Sequence, residues 1–215
     1  QMANLRGTCC LVQVAEFCTP RKDAPMTDKT SATKHPAKPK GNRRAPAGSG
    51  AALTMEQNAE RGFTASKALS DNLQRVLVDL IELASQGKQA HWNVVGRNFR
   101  DTHRQLDEII DAAREFSDTV AERMRALHAV PDGRSDTVAA TTTLPEFPRG
   151  EVSTTDVINL VTERLDAATA TCREVHDPVD EEDPTTADIL HTILETLEQF
   201  AWMVSAENRT PAKRD

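Results

Sequence analysis

The stretch KQAHWNVVGRNFRDTHRQLDEIIDAAREFSDTVAERMRAL, residues 88–127, decides how this chain reads. Apolar side chains recur in it at three- and four-residue steps: Phe99, Leu106, Ile109, Ile110, Ala113, Val120, Met124 and Leu127. That spacing predicts an amphipathic helix. Asn98, with Asp101 three residues on, reads as its N-cap with a capping-box-like partner, and Pro131-Asp132-Gly133 predicts its stop. At about 100° per residue, His103, Asp107, Asp118 and Glu122 fall within an arc of roughly 100° on this helix. His91 closes the helix before it.

Working outward, Leu69, Leu73, Val76, Leu77, Leu80, Ile81 and Ala84 carry the same period and predict a helix over about 66–92. A third helix is predicted from Ser153 or Thr154 on Val157, Val161, Leu165, Ala168, Cys172 and Val175. Asp183-Pro184 reads as an N-cap and first-turn proline. They open a fourth helix on Ile189, Leu190, Ile193, Leu194, Leu197, Phe200 and Val204. The stretch from His128 to Glu151 is long and contains prolines, with one short helix predicted around 135–141. Four long helices joined by short, long and short connections make an all-α, ferritin-like four-helix bundle. The short helix sits in the long crossover between helices 2 and 3.

Composition agrees. The chain has 9 Gly, no Tyr and 4% aromatic residues, a balance that favours helix over a mixed fold. No apolar run approaches the roughly 20 residues needed to cross a bilayer, so no membrane partner is expected. The net charge of -7 hides an asymmetry. Residues 1–50 hold nine Lys or Arg against three Asp or Glu, whereas the rest holds 17 against 30. Two parts are expected: a basic N-terminal extension over 1–50 and a bundle domain over 51–215.

The ligand types in the decisive stretch suit a metal. His103 and Asp107 are one turn apart, as are Asp118 and Glu122, and together the pairs offer a mixed nitrogen and oxygen shell fit for ferrous iron. However, Asp107 and Asp118 lie eleven residues apart, or about 16 Å along the axis. One ion cannot be held by both pairs of one helix. If all four serve one site, Asp118 and Glu122 come from a second copy running antiparallel across a two-fold axis.

The stretch from Lys88 to Phe99, followed by His103, Asp107, Asp118 and Ala121-Glu122-Arg123, resembles the signature of the Dps family, mini-ferritins of the ferritin-like superfamily named as DNA-binding proteins from starved cells. The similarity covers about Ser66 to Asn208 and is strongest to actinobacterial members. The resemblance implies a ferroxidase with centres shared between subunits. His91, His103 and Asp107 match the family's ligands from one subunit, and Asp118 and Glu122 those from its two-fold mate. Trp92 matches the tryptophan beside the family's site. Also implied are a dodecameric shell of tetrahedral symmetry, iron as Fe(II) and Fe(III), hydrogen peroxide as preferred oxidant, and stored ferric oxide. By the same resemblance, Asp183 and Asp188, with Glu182 beside them, line a pore that admits ions at a three-fold axis. The plainer reading of Asp180, Glu181, Glu182 and Asp183 is a solvated loop.

The tail invites two readings. Lys29, Lys34, Lys38, Lys40, Arg43 and Arg44 follow one another without an intervening acid, in a segment too poor in large apolar side chains to fold alone. Either it binds the DNA phosphate backbone without sequence preference, or it is a solubilising terminus. Residues 1–25 begin with Gln1, with Met2 and Met26 as possible starts, and read as a cloning remnant or an extended frame. Their Cys9, Cys10 and Cys18 form a weak metal pattern. Cys172 reads as a small core residue, and the lone thiol of the body fits a reducing cytoplasm; DNA binding by the tail would add a nucleoid location. Asp111 reads as a solvated or inter-subunit charge, and His128, His176 and His191 as surface or packing residues, although Asp188 and His191 have the spacing of a helical ligand pair. No Glu-x-x-His element is present for a di-iron site inside one bundle. The rival function is a nucleoid protein that compacts DNA, with iron handling secondary.

Overall fold

A computed structural model describes residues 62–213. The basic cluster Lys29 to Arg44, the three N-terminal cysteines and the domain boundary near residue 50 lie outside the described residues.

Four long helices and one short one carry the fold: α1 Lys67–Asn93, α2 Phe99–Ala126, α3 Ser135–Thr141, α4 Thr154–Glu182 and α5 Pro184–Ala206. Two two-residue strands, β1 Val94–Val95 and β2 Val152–Ser153, pair in parallel, with Val94 opposite Val152 and Val95 opposite Ser153. This small ladder fastens the end of α1 to the start of α4, so the crossover through α3 returns the chain to the end of the bundle it left. The apolar stripes meet in one core. Leu69, Leu73 and Leu80 of α1 join Ile109 and Ile110 of α2, Leu165 of α4, and Leu190, Ile193 and Leu197 of α5, each almost wholly removed from solvent. Burying each such side chain contributes about 1.5–3 kcal/mol. Gly87 lets α1 and α2 approach closely, since a Cβ there would stand 2.9 Å from Ile110 Cγ1.

Polar anchors hold the crossover. Asp79 of α1, 1% exposed, accepts hydrogen bonds from Thr142 Oγ1, from Thr143 N and Oγ1, and from Thr171 Oγ1 of α4. Arg164 of α4 is buried and donates to Gln86 Oε1 at 2.6 Å and to the Glu146 carbonyl at 2.7 Å. Each anchor spans helix and crossover, so each fixes the path between the second and third long helices.

The ends of two helices differ from the sequence reading. Asn98 precedes α2 in the left-handed region, φ 58°, and makes no side-chain cap. Its carbonyl accepts instead from the amides of Asp101 at 3.1 Å and Thr102 at 3.0 Å. Gly96, φ +127°, lies two residues earlier in the same tight turn. The third long helix also runs further than its apolar stripe suggests. It passes through Pro178 to Glu182, so Asp180, Glu181 and Glu182 are its last turn and not a loop. Only Asp183 separates it from α5.

Candidate metal centre

The end of α1 and the start of α2 bring His91, His103 and Asp107 together. One ligand atom from each lies within 4.8 Å of the others, a spacing that fits one metal ion. The helices deliver them because the Gly96 turn folds α2 back along α1, and His103 and Asp107 then project from one face one turn apart. The two imidazoles stack with centroids 3.6 Å apart and planes tilted by 34°. Phe99 flanks His103 at 5.0 Å.

Hydrogen bonding fixes one tautomer. His103 Nδ1 lies 3.0 Å from the His91 carbonyl oxygen, which can only accept, so Nδ1 carries the hydrogen and Nε2 keeps a free lone pair. His91 differs. Its Nδ1 is buried without a hydrogen-bond partner, although Asp107 Oδ1 stands 3.0 Å away in a poor hydrogen-bond orientation. A buried nitrogen left without a partner is costly in an apolar interior and natural beside a cation. Burial, partly offset by Asp107, holds the His91 pKa below the ordinary imidazole value and keeps the ring in its ligating neutral form. The Asp107 carboxyl lies below its usual range, chiefly through its hydrogen bond from Lys88. The donor set is therefore two neutral imidazoles and an ionised carboxylate, which suits a borderline divalent ion such as Fe(II) or Zn(II).

Asp118 and Glu122 do not join this cluster. Both are exposed on α2, and among the described residues neither side chain has a hydrogen bond or an ion pair. Trp92 is 70% exposed in the single chain, next to His91 in sequence but turned outward.

The acidic residues near the α4–α5 junction do not gather into an ion-holding cluster within one chain. Glu182 accepts from the backbone amide of Ser66 at 2.8 Å and from its hydroxyl at 2.6 Å, placing a carboxylate at the N-terminus of α1. Asp183 is buried, bonded to Arg123 at 2.6 Å and to the Thr186 hydroxyl. Asp188 is exposed, 3.6 Å from His191 Nδ1.

One residue at the centre escaped the reading of sequence as ligands. Lys88 Nζ bonds Asp107 Oδ1 at 2.8 Å. The signal was its position three residues before His91, which puts both on one helical face. His176 and His191, read as surface or packing residues, face one another at 2.7 Å between Nε2 atoms.

Comparison with known proteins agrees with the fold. The family model described as a ferritin-like domain matches residues 70–210. The chain is 34% identical over 134 residues to DNA protection during starvation protein 2 of Deinococcus radiodurans, covering 62% of this chain and 56% of that protein's length. It is 33% identical to the DNA protection during starvation protein of Agrobacterium fabrum, covering 62% of this chain and 83% of that one. Among solved structures, Dps from Microbacterium arborescens in its high-iron form is 32% identical with a TM-score of 0.64, covering 68% of this chain and 99% of its own.

Proposed function

Because the chain belongs to the Dps family of ferritin-like proteins, we propose that it oxidises ferrous iron at centres shared by two copies and stores the ferric product in a closed homo-oligomeric shell. Iron is the substrate. The observation that carries this reading is the pairing of two incomplete sets: His91, His103 and Asp107 converge with an unpartnered imidazole nitrogen, while Asp118 and Glu122 stand unpaired and exposed on the same helix. Two-fold packing of α2 against its copy supplies the missing carboxylates to each site.

This chain's residues then divide the work. His91 and His103 bind ferrous iron through neutral nitrogens. Asp107, with Asp118 and Glu122 of the other copy, adds negative charge, which favours the ferric state over the ferrous one. With two ions side by side, hydrogen peroxide is reduced by both electrons at once: two Fe(II), one H2O2 and two protons give two Fe(III) and two H2O. No hydroxyl radical is released. Trp92, next to His91 in sequence, intercepts an oxidant that escapes. Asp183, Asp188 and Glu182 attract cations toward the shell interior as part of an acidic pore. A dodecamer of tetrahedral symmetry in the cytoplasm completes this reading.

Substituting Asp118→Ala together with Glu122→Ala tests it. Rapid ferrous oxidation, followed by ferric absorbance after peroxide is added, is expected to vanish while the helical signal stays. An unchanged rate would contradict the shared centre.

A second activity rests on the six basic side chains from Lys29 to Arg44. They supply phosphate contacts that the acidic body lacks, and many copies on one shell bind DNA multivalently. Removing residues 1–50 is expected to abolish DNA retardation at moderate salt and spare iron oxidation. Retained DNA binding would instead place the contact on the body.

A further inference from the structure

A second pair of imidazoles lies apart from the α1–α2 cluster, between α4 and α5. His176 Nε2 and His191 Nε2 are 2.7 Å apart, with ring centroids at 4.6 Å. Each ring has a carboxylate on its other side. Asp177 Oδ1 stands 2.9 Å from His176 Nδ1, and Asp188 Oδ1 stands 3.6 Å from His191 Nδ1. A carboxylate only accepts, so it draws the ring hydrogen to Nδ1. The contact to His176 is a direct hydrogen bond, and the longer one to His191 is within reach of electrostatic attraction. With both rings neutral in that form, two Nε2 lone pairs point at one another across 2.7 Å. That facing pair of lone pairs attracts a cation; without one, His191 carries its hydrogen on Nε2 and donates it to His176 Nε2.

We infer that His176 and His191 form a binding site for a divalent late first-row metal ion, with Asp177 and Asp188 as the outer carboxylates that orient the rings. Imidazole nitrogen suits Zn(II), Ni(II) and Cu(II), and a carboxylate on the far nitrogen raises ligand basicity and fixes the tautomer. At about 2.0–2.1 Å per bond, a tetrahedral ion holds its nitrogens about 3.3 Å apart. The rings must therefore part by several tenths of an ångström. His191 can supply that movement, because its side chain is 59% exposed. The pair opens on a cleft of about 180 Å³ bordered by Arg173 and Leu194, which leaves room for water in the remaining positions. Arg173 does not oppose a cation there, because its guanidinium is paired with Glu198. This site shares no residue with the α1–α2 cluster and stands whether or not that cluster oxidises iron.

Full-length protein carrying His103→Ala and Asp107→Ala, which silences the first cluster, is titrated with Ni(II) by calorimetry at neutral pH. The variants His176→Gln, His191→Gln and Asp177→Asn are compared in the same background. One ion per chain is expected to be lost with either histidine substitution. Asp177→Asn, on a side chain 93% exposed and so harmless to the fold, is expected to weaken it roughly 10- to 100-fold. Copper(II) in the same background should show nitrogen coupling in its paramagnetic resonance that disappears in His191→Gln. Ni(II) stoichiometry and affinity unchanged in both histidine variants would overturn the site and leave an N–H···N hydrogen bond between the rings. Unchanged affinity in Asp177→Asn would overturn the role given to the carboxylate.

Discussion

The Lys88 ammonium lies 2.8 Å from Asp107 Oδ1, the same oxygen that stands 3.0 Å from His91 Nδ1. A tethered cation thus occupies one ligand of the candidate centre before any metal arrives. An ion bound through that oxygen must compete with it.

Replacing Lys88 with Met should tighten divalent metal binding at the cluster. The pair is partly exposed, with side chains 26% and 43% accessible, so the gain is modest, up to about fivefold, as for ion pairs of 0.2–1 kcal/mol. A competitive Zn(II) titration with a chromophoric chelator reads it. Weaker binding in the variant would mean that Lys88 organises Asp107 for the metal and does not rival it.

The Asp79 anchor should dominate the stability of the crossover. Asp79→Ala leaves Thr171 Oγ1 and the Thr143 amide without their buried acceptor. Urea denaturation followed by circular dichroism is expected to show a loss of about 2–4 kcal/mol, from several donors each costing 1–3 kcal/mol when left unsatisfied. A change below about 0.5 kcal/mol, typical of surface substitutions, would show that the network is dispensable.

Acid sensitivity should trace in part to Asp183. Burial alone would raise its pKa, but hydrogen bonds from Thr186 and Arg123 outweigh it, and the carboxyl lies below its ordinary 3.8. A depressed folded value means the stabilisation is full above the unfolded pKa and is lost as pH falls through the folded one. Arg123→Met should therefore cost about 1–3 kcal/mol at neutral pH, and the gap to the parent protein should close below about pH 4. A gap that persists at pH 2 would point to lost packing and not to the ion pair.

Cys172 should be chemically silent while the bundle is folded. Burial pushes its thiol up to about 12, so almost no thiolate exists at pH 8. Iodoacetamide labelling read by peptide mass spectrometry should leave Cys172 unmodified until denaturant is added.

The long helices were legible because their stripes repeat over about four or more turns, as from Leu69 to Ala84, and no local accident can hide such a period. What stayed hidden had no period to read. The ladder of Val94 with Val152 and Val95 with Ser153 is two residues long, too short for alternation to appear. Asn98 looked like a side-chain cap because residue type alone does not reveal φ, and its left-handed backbone sends the side chain elsewhere. α4 runs on through Pro178, which sits on the exposed face, where water can satisfy the Glu174 carbonyl left without its amide donor. At the site, the triad His91, His103 and Asp107 was legible from helical spacing and family resemblance together. Lys88 and the facing pair His176 and His191 were not, since each needs the packing of two helices to bring it to its partner.

The claim that one centre draws on two chains has a direct test by complementation. One variant carries His91→Ala and His103→Ala, the other Asp118→Ala and Glu122→Ala, and neither oxidises ferrous iron rapidly alone. After the two are unfolded together and reassembled in equal amounts, every mixed pair holds one centre built wholly from intact residues, so about a quarter of the centres should regain activity under random pairing. Ferrous oxidation that stays at the level of the separate variants, in shells confirmed to contain both, would contradict a shared centre.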